Sequence, residues 1–180
     1  MTSRRSVLRN SAAIAFGATA LGAVVSAGPA EAETAQQSQS SDSDQRDRFE
    51  ARQCAEVVGV LKSYERALNA GDVAGVVRLY TDDAVLLPPG APTAVGIDAV
   101  RATYTGIFQA LRFDLAFEVA EVNVVSSEWA FLRSASTGVV TTLADGAQLP
   151  SSNHELFVLH KSHGRWKLAR YGFSSVLPTA

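Results

Sequence analysis

Leu111-Arg112-Phe113-Asp114-Leu115-Ala116-Phe117-Glu118-Val119-Ala120 is where the rhythm of the chain changes. Phe113, Leu115, Phe117 and Val119 alternate with Asp114, Ala116, Glu118 and Ala120. That is the period of a strand with one dry and one wet face. Asp114 and Glu118 mark the wet side. Before this stretch the apolar period is that of helices, and after it strands and turns follow one another. Helices first and a meander of strands afterwards predict an α+β domain, with three N-terminal helices packed on one face of a mostly antiparallel sheet.

Upstream, Cys54, Val57, Leu61, Tyr64 and Leu68 recur at three- and four-residue steps and place a helix over about 48–69. On that stripe Cys54 is expected to be a small buried hydrophobe. Ala70-Gly71 ends the helix, and Asp72 caps a short second one from Val73 to Tyr80, with Val76, Val77 and Tyr80 inward. Ala84–Leu87 reads as a strand stopped by Pro88-Pro89-Gly90. Asp98 is then expected to cap a third helix carrying Val100, Tyr104, Ile107, Phe108 and Leu111.

Downstream, strands are expected over Trp129–Thr142, Ser152–Lys161 and Arg165–Ser174, with turns at Ser126-Ser127-Glu128 and Ala144-Asp145-Gly146. Ser162-His163-Gly164 suits a three-residue hairpin with Gly164 left-handed. Lys161 then pairs with Arg165, and Glu155 faces Tyr171. A two-residue loop, Ser162-His163, instead sets Glu155 opposite Arg170. The first register uses glycine where only glycine is comfortable and is preferred. It leaves Leu156, Val158, Trp166 and Leu168 on the side away from the helices. Such an apolar face asks for cover, so a homodimer is expected.

The first 32 residues read differently. Arg4-Arg5, with Arg9, forms a basic start, and 12–27 is apolar but rich in Ala and Gly. Ala30-Glu31-Ala32 is a small-x-small cleavage site. A paired arginine ahead of such a run is the twin-arginine export address. Cleavage leaves a mature chain from Glu33 in the periplasm or outside the cell, with no membrane span. Residues 33–47 contain no large apolar side chain and are expected to be a disordered linker ahead of a domain at 48–178. The mature chain has 13 basic and 17 acidic residues, a formal charge of −4. That balance offers no electrostatic footprint for nucleic acid. One cysteine excludes an internal disulfide.

Tyr64-Glu65-Arg66-Ala67-Leu68-Asn69-Ala70-Gly71-Asp72, Leu79-Tyr80-Thr81-Asp82-Asp83-Ala84 and Gly96-Ile97-Asp98-Ala99-Val100 resemble the opening of the NTF2-like superfamily. Asn153–Leu159 and Gly164–Tyr171 resemble its SnoaL-like and DUF4440 branch. The resemblance spans about 50–178 and implies a cone: a curved sheet wrapped around helices, with a pocket at the open end. Ketosteroid isomerases, polyketide cyclases and dehydratases share that fold, as do plain ligand binders. The resemblance puts Tyr64 at the isomerases' oxyanion tyrosine and Glu155 near their second acid, one kept protonated by an apolar site. Where those enzymes have their aspartate base, this chain has Pro88. Ser174-Ser175-Val176-Leu177-Pro178 is also similar to iota-class carbonic anhydrases, but Tyr171, Gly172 and Phe173 stand where that class has histidines.

Glu155 is the sharpest chemical candidate. A carboxylate on an inward face between Asn153 and Phe157 is costly unless paired or protonated, and a protonated one is a usable acid or base. Glu155 on this ground, and Tyr64 as the resemblance implies, are the catalytic candidates. Asn153, Phe157, Tyr171 and Phe173, on the same hairpin, and Arg133, a bidentate anion holder, are the substrate-binding candidates. No metal or cofactor is expected. His154 and His160 lie about 20 Å apart along one strand, and no zinc spacing or phosphate loop occurs. The expected function is binding of a small hydrophobic molecule, with cofactor-free isomerase, cyclase or lyase chemistry as one reading and a non-catalytic carrier as the other.

Overall fold

The computed structural model describes residues 29–176, with side chains from 44 onward. The expected export signal falls on residues 1–32; residues 1–28 of it, and residues 177–180, lie outside the described residues. The chain divides into a unit up to Ser40, described only as helical backbone, and the folded unit from Ser41.

The elements are α1 (Pro29–Asn69), α2 (Val73–Arg78), β1 (Tyr80–Leu87), β2 (Ala94–Val95), α3 (Ile97–Ala110), β3 (Leu111–Val124), β4 (Trp129–Thr142), β5 (Gln148–Ser162) and β6 (Arg165–Ser175). The sheet order is β2-β1-β6-β5-β4-β3. Only β1 and β6 run parallel; the other pairs are antiparallel. This is the expected α+β arrangement of helices on one face of a largely antiparallel curved sheet.

Helix α1 buries Val57, Leu61, Tyr64 and Leu68, as its period dictates. Two details differ from expectation. Gln53, not Cys54, takes the buried place at the start of the stripe, and Cys54 is half-buried. Gln53 Oε1 accepts from Trp166 Nε1 at 3.1 Å and from Lys161 Nζ at 2.5 Å, which ties α1 to the end of the last hairpin. The helix also runs back through 33–47, where a linker was expected. Residues 44–48, at the end of this stretch, are exposed, as its composition requires. Its Ala, Glu and Gln are nevertheless good helix formers.

Asp72 caps α2 through Gly75 N (2.8 Å). Asp98 does not cap α3: Gly96 is the N-cap, at φ 84°, and Asp98 sits in the first turn. Asn69 acts as a strand partner. Its side chain donates to Leu115 O at 2.8 Å and accepts from Leu115 N at 3.0 Å, pinning β3 to the end of α1. Opposite Leu115, Gly138 has φ 151°, and a Cβ there would lie 2.1 Å from Asp114 O. Only glycine lets β3 and β4 approach that closely.

The last hairpin corrects both expected registers. Ser162 pairs with Arg165, so the loop is His163-Gly164, with both residues left-handed (φ 50° and 74°). That is the two-residue turn whose twist suits a hairpin. The register then slips between Leu159↔Leu168 and Val158↔Arg170, leaving Ala169 as a bulge. Glu155 pairs with Phe173, and Tyr171 with Phe157. A bulge adds one residue and reverses the faces beyond it. Trp166 and Leu168 therefore point into the core with Leu159, and are not part of an outer apolar face. Leu156 alone of the four expected there is exposed, at 50%, and Val158 is half-buried.

Candidate functional site

A cavity of about 360 Å³ opens between the helices and the concave face of the sheet. Tyr64 and Leu68 of α1, Tyr104 and Ile107 of α3, Leu115 and Phe117 of β3, and Asn153, Glu155, Tyr171 and Phe173 of the last hairpin wall it, with Pro88 and Pro89 at one side. Its lining is overwhelmingly apolar. Among the described residues that line it there is no lysine, arginine or histidine.

Two hydrogen-bonded clusters supply its polarity. In the first, the Tyr104 hydroxyl joins those of Tyr64 and Tyr80, each at 2.9 Å. The three rings pack edge-on or tilted at 6.1–6.4 Å. Burial pushes all three phenols above their usual range, furthest by desolvation.

The second cluster surrounds Glu155, which is 3% exposed. Ser136 Oγ donates to Oε1 at 2.5 Å, and the Tyr171 hydroxyl donates to Oε2. Asn153 Nδ2 donates to Ser136 Oγ and to Ser151 Oγ, both at 3.1 Å. None of the ion pairs among the described residues involves Glu155. Desolvation raises its carboxyl above the ordinary range, and the bonds from Ser136 and Tyr171 only partly oppose this. Such a group exchanges a proton nearer neutrality than a surface glutamate does. The two clusters meet where the Tyr171 ring packs edge-on against Tyr64 at 5.4 Å.

Tyr64, Glu155, Asn153, Tyr171 and Phe173 thus share one cavity, through the expected parity of the hairpin despite its different register. Phe157 lies behind them. It stacks flat on Tyr171 (4.3 Å, 3°) and supports the wall from the core. Arg133 does not join them. The inward residues of β4 are Ala130, Leu132, Ser134 and Ser136, so Arg133 points to the outer face, where it pairs with Glu121 at 3.2 Å. Sequence reasoning missed three members: Tyr104, which read as a core position of its helix, Tyr80, which was expected to end the second helix and instead opens β1, and Ser136. An inward serine on an otherwise apolar strand face was the signal for the last.

Among the described residues no group of three His, Cys, Asp or Glu is placed to hold a metal ion. No described helix is long and apolar enough to cross a membrane.

Comparison with known proteins agrees with this architecture. Residues 60–169 match the model of the SnoaL-like domain. A ketosteroid isomerase-like protein from Erwinia carotovora atroseptica SCRI1043 is 41% identical, with a TM-score of 0.67 over 69% of this chain and 97% of that one. An NTF2-like protein from Pseudomonas putida KT2440 shares the fold at 17% identity (TM-score 0.58, 72% and 90% covered). So does a conserved protein from Planctomyces limnophilus DSM 3776, at 23% (TM-score 0.59, 73% and 99%). With its helices, sheet and cavity in this arrangement, the chain belongs to the SnoaL-like family and has the fold of NTF2-like proteins.

Proposed function

We propose that this is an exported protein that binds a small, neutral, largely apolar molecule in the cavity and moves a proton on it without a cofactor, as an isomerase, cyclase or lyase. The observation that carries this reading is a buried carboxyl, Glu155, held by two hydroxyl groups with no cation, on the wall of an apolar cavity. Glu155 is the acid or base. Tyr64 is the electrophile that polarises a ligand oxygen. Three hydroxyl protons serve only two bonds in the tyrosine cluster, so one is free. Tyr80 does not line the cavity. The direction Tyr80 to Tyr104 to Tyr64 leaves the free proton on Tyr64, where a ligand oxygen can take it. Similarity to a ketosteroid isomerase-like protein supports proton chemistry, but Pro88 occupies the position of that family's usual base and lines the cavity. Steroid isomerisation as such is therefore not the reading. Pro88 also supports the second reading, a non-catalytic carrier.

Screening neutral ketones and hydroxy-ketones for isomerisation or water loss separates the two. Turnover lost in Glu155→Gln and Tyr64→Phe supports an enzyme; tight binding without turnover, equal in both variants, supports a carrier.

Export rests on Arg4-Arg5 and the apolar run behind it. Mass spectrometry of exported protein should find a chain beginning at Glu33, and Arg4→Lys/Arg5→Lys should stop export. Self-association through the outer face of the sheet also belongs to this reading. Leu87 and Leu156 are exposed there, and face-to-face packing of two copies would bury them. Sedimentation should give a dimer, and Leu156→Glu a monomer; a monomeric parent chain would contradict it.

A further inference from the structure

The hydrogen bonds around Glu155 have directions, and the directions decide where its proton sits. An amide nitrogen can only donate. Asn153 Nδ2 spends both hydrogens, on Ser136 Oγ and Ser151 Oγ. Ser136 is thereby an acceptor toward Asn153, and its one proton is left for Glu155 Oε1. Ser136 is wholly buried, so water does not compete. Oε1 faces a donor whatever the charge on the carboxyl, and a proton placed there would set two hydrogens face to face. Oε2 is different. Its partner is a phenol, which both donates and accepts and can turn about its C–O bond.

We propose that Asn153 and Ser136 are positioning residues that confine the proton of Glu155 to Oε2, and that Tyr171 is a further catalytic residue, donating to Glu155 while the carboxylate is charged and to a ligand oxygen once it is protonated. This rests on the acid–base reading of the cavity. Tyr171 lines that cavity beside Glu155, so its hydroxyl has both partners within reach.

The step balances as follows. Oε2 takes a proton from a carbon next to a ligand carbonyl. The C–H electron pair becomes the enolate double bond, and the carbonyl π pair moves to oxygen. The new Oε2–H donates to Tyr171 Oη, and the Tyr171 O–H turns to the enolate oxygen. Returning the proton to a second carbon reverses each change and completes an isomerisation with no other reactant.

The other titratable groups that face Glu155 are the hydroxyls of Tyr64, Tyr80 and Tyr104. Arg133, His154 and Arg170 lie along the groove on the outer side of the same strands, with Arg133 and Arg170 already ion-paired.

The test uses the full chain labelled with carboxyl-13C glutamate, Glu155 being assigned by its absence in Glu155→Gln. Ser136→Ala and Asn153→Leu should each move the Glu155 titration upward by about one unit, since each weakens the stabilisation of the charged form. Asn153→Asp, which draws the Ser136 proton to itself, should move it further. An unmoved titration in Ser136→Ala and Asn153→Leu, with near-ultraviolet dichroism intact, would overturn the proposal. For Tyr171 the probe is 1-tetralone, a neutral aromatic ketone, measured by calorimetry above the Glu155 transition. Glu155→Gln, whose amide donates to Tyr171 and frees the phenol, should bind it about tenfold more tightly than the parent chain, as one hydrogen bond allows. Glu155→Gln/Tyr171→Phe should lose that gain, and equal binding by the two variants would contradict the role of Tyr171. Turnover and titration separate the two readings. Shifts present without turnover on any ketone overturn the acid–base reading, and shifts absent with turnover present overturn the relay.

Discussion

Two clusters on the cavity wall use the same chemical groups to opposite ends. Two hydrogen bonds join Tyr64, Tyr104 and Tyr80 and leave one hydroxyl proton over, and burial keeps all three phenols neutral. Around Glu155 the donors converge on one carboxyl that burial makes reluctant to ionise and that no ion pair relieves. The first arrangement is stable in one protonation state. The second is balanced between two. A cavity with one fixed donor and one exchangeable proton is what acid–base chemistry on a neutral molecule needs.

The largest effect that tests the contrast is on turnover. Glu155→Gln keeps the shape and removes the exchangeable proton. Any turnover should fall by about 10²–10⁴-fold, while stability at pH 7, read by chemical denaturation, should equal or exceed that of the parent. A clear loss of stability would mean that the charged form of Glu155 holds the fold together.

Tyr104→Phe should break the other cluster, because Tyr104 is the shared partner of both hydroxyls. Two buried hydroxyls lose their bonds, at a cost of about 2–4 kcal/mol. That loss should be the same from pH 5 to 9, since neither remaining phenol titrates there.

The pH dependence of stability is smaller but sharper. The folded Glu155 binds its proton more tightly than the unfolded chain does. The parent chain is therefore favoured below the unfolded value, about 4.3, and loses that advantage as pH rises through the folded value. The decline is at most about 1.4 kcal/mol per pH unit within that window. Subtracting the Glu155→Gln profile should isolate it; parallel profiles would contradict it.

Arg133→Ala should do least. Its pair with Glu121 is exposed on the outer face, so stability should change by no more than about 0.5 kcal/mol and cavity binding not at all. A loss of ligand binding would return Arg133 to the site.

What the sequence made legible follows the range of the interactions. Local periods located α2, α3 and the long strands, and parity along β5 and β6 put Glu155, Tyr171 and Phe173 on one face. Long-range facts were hidden. Nothing near Ala169 announces a bulge, because the bulge arises when β6 must pair with β5 on one side and parallel β1 on the other. That one residue carried Trp166 and Leu168 from the outer face to the core. The pairing of Tyr104 with Tyr64 and Tyr80 joins residues 40 and 24 positions apart, which no local pattern connects. Ser136 meets Glu155 only through the β4–β5 register. β2, two residues long, is too short to show a period.

The most direct test of the central claim is the titration of Glu155 itself, followed by its carboxyl 13C shift in the unmodified chain. A buried carboxyl without a cation should take up its proton clearly above the ordinary glutamate value of about 4.3. A midpoint at or below that value would show that Glu155 is held charged, and would remove the exchangeable proton on which this account depends.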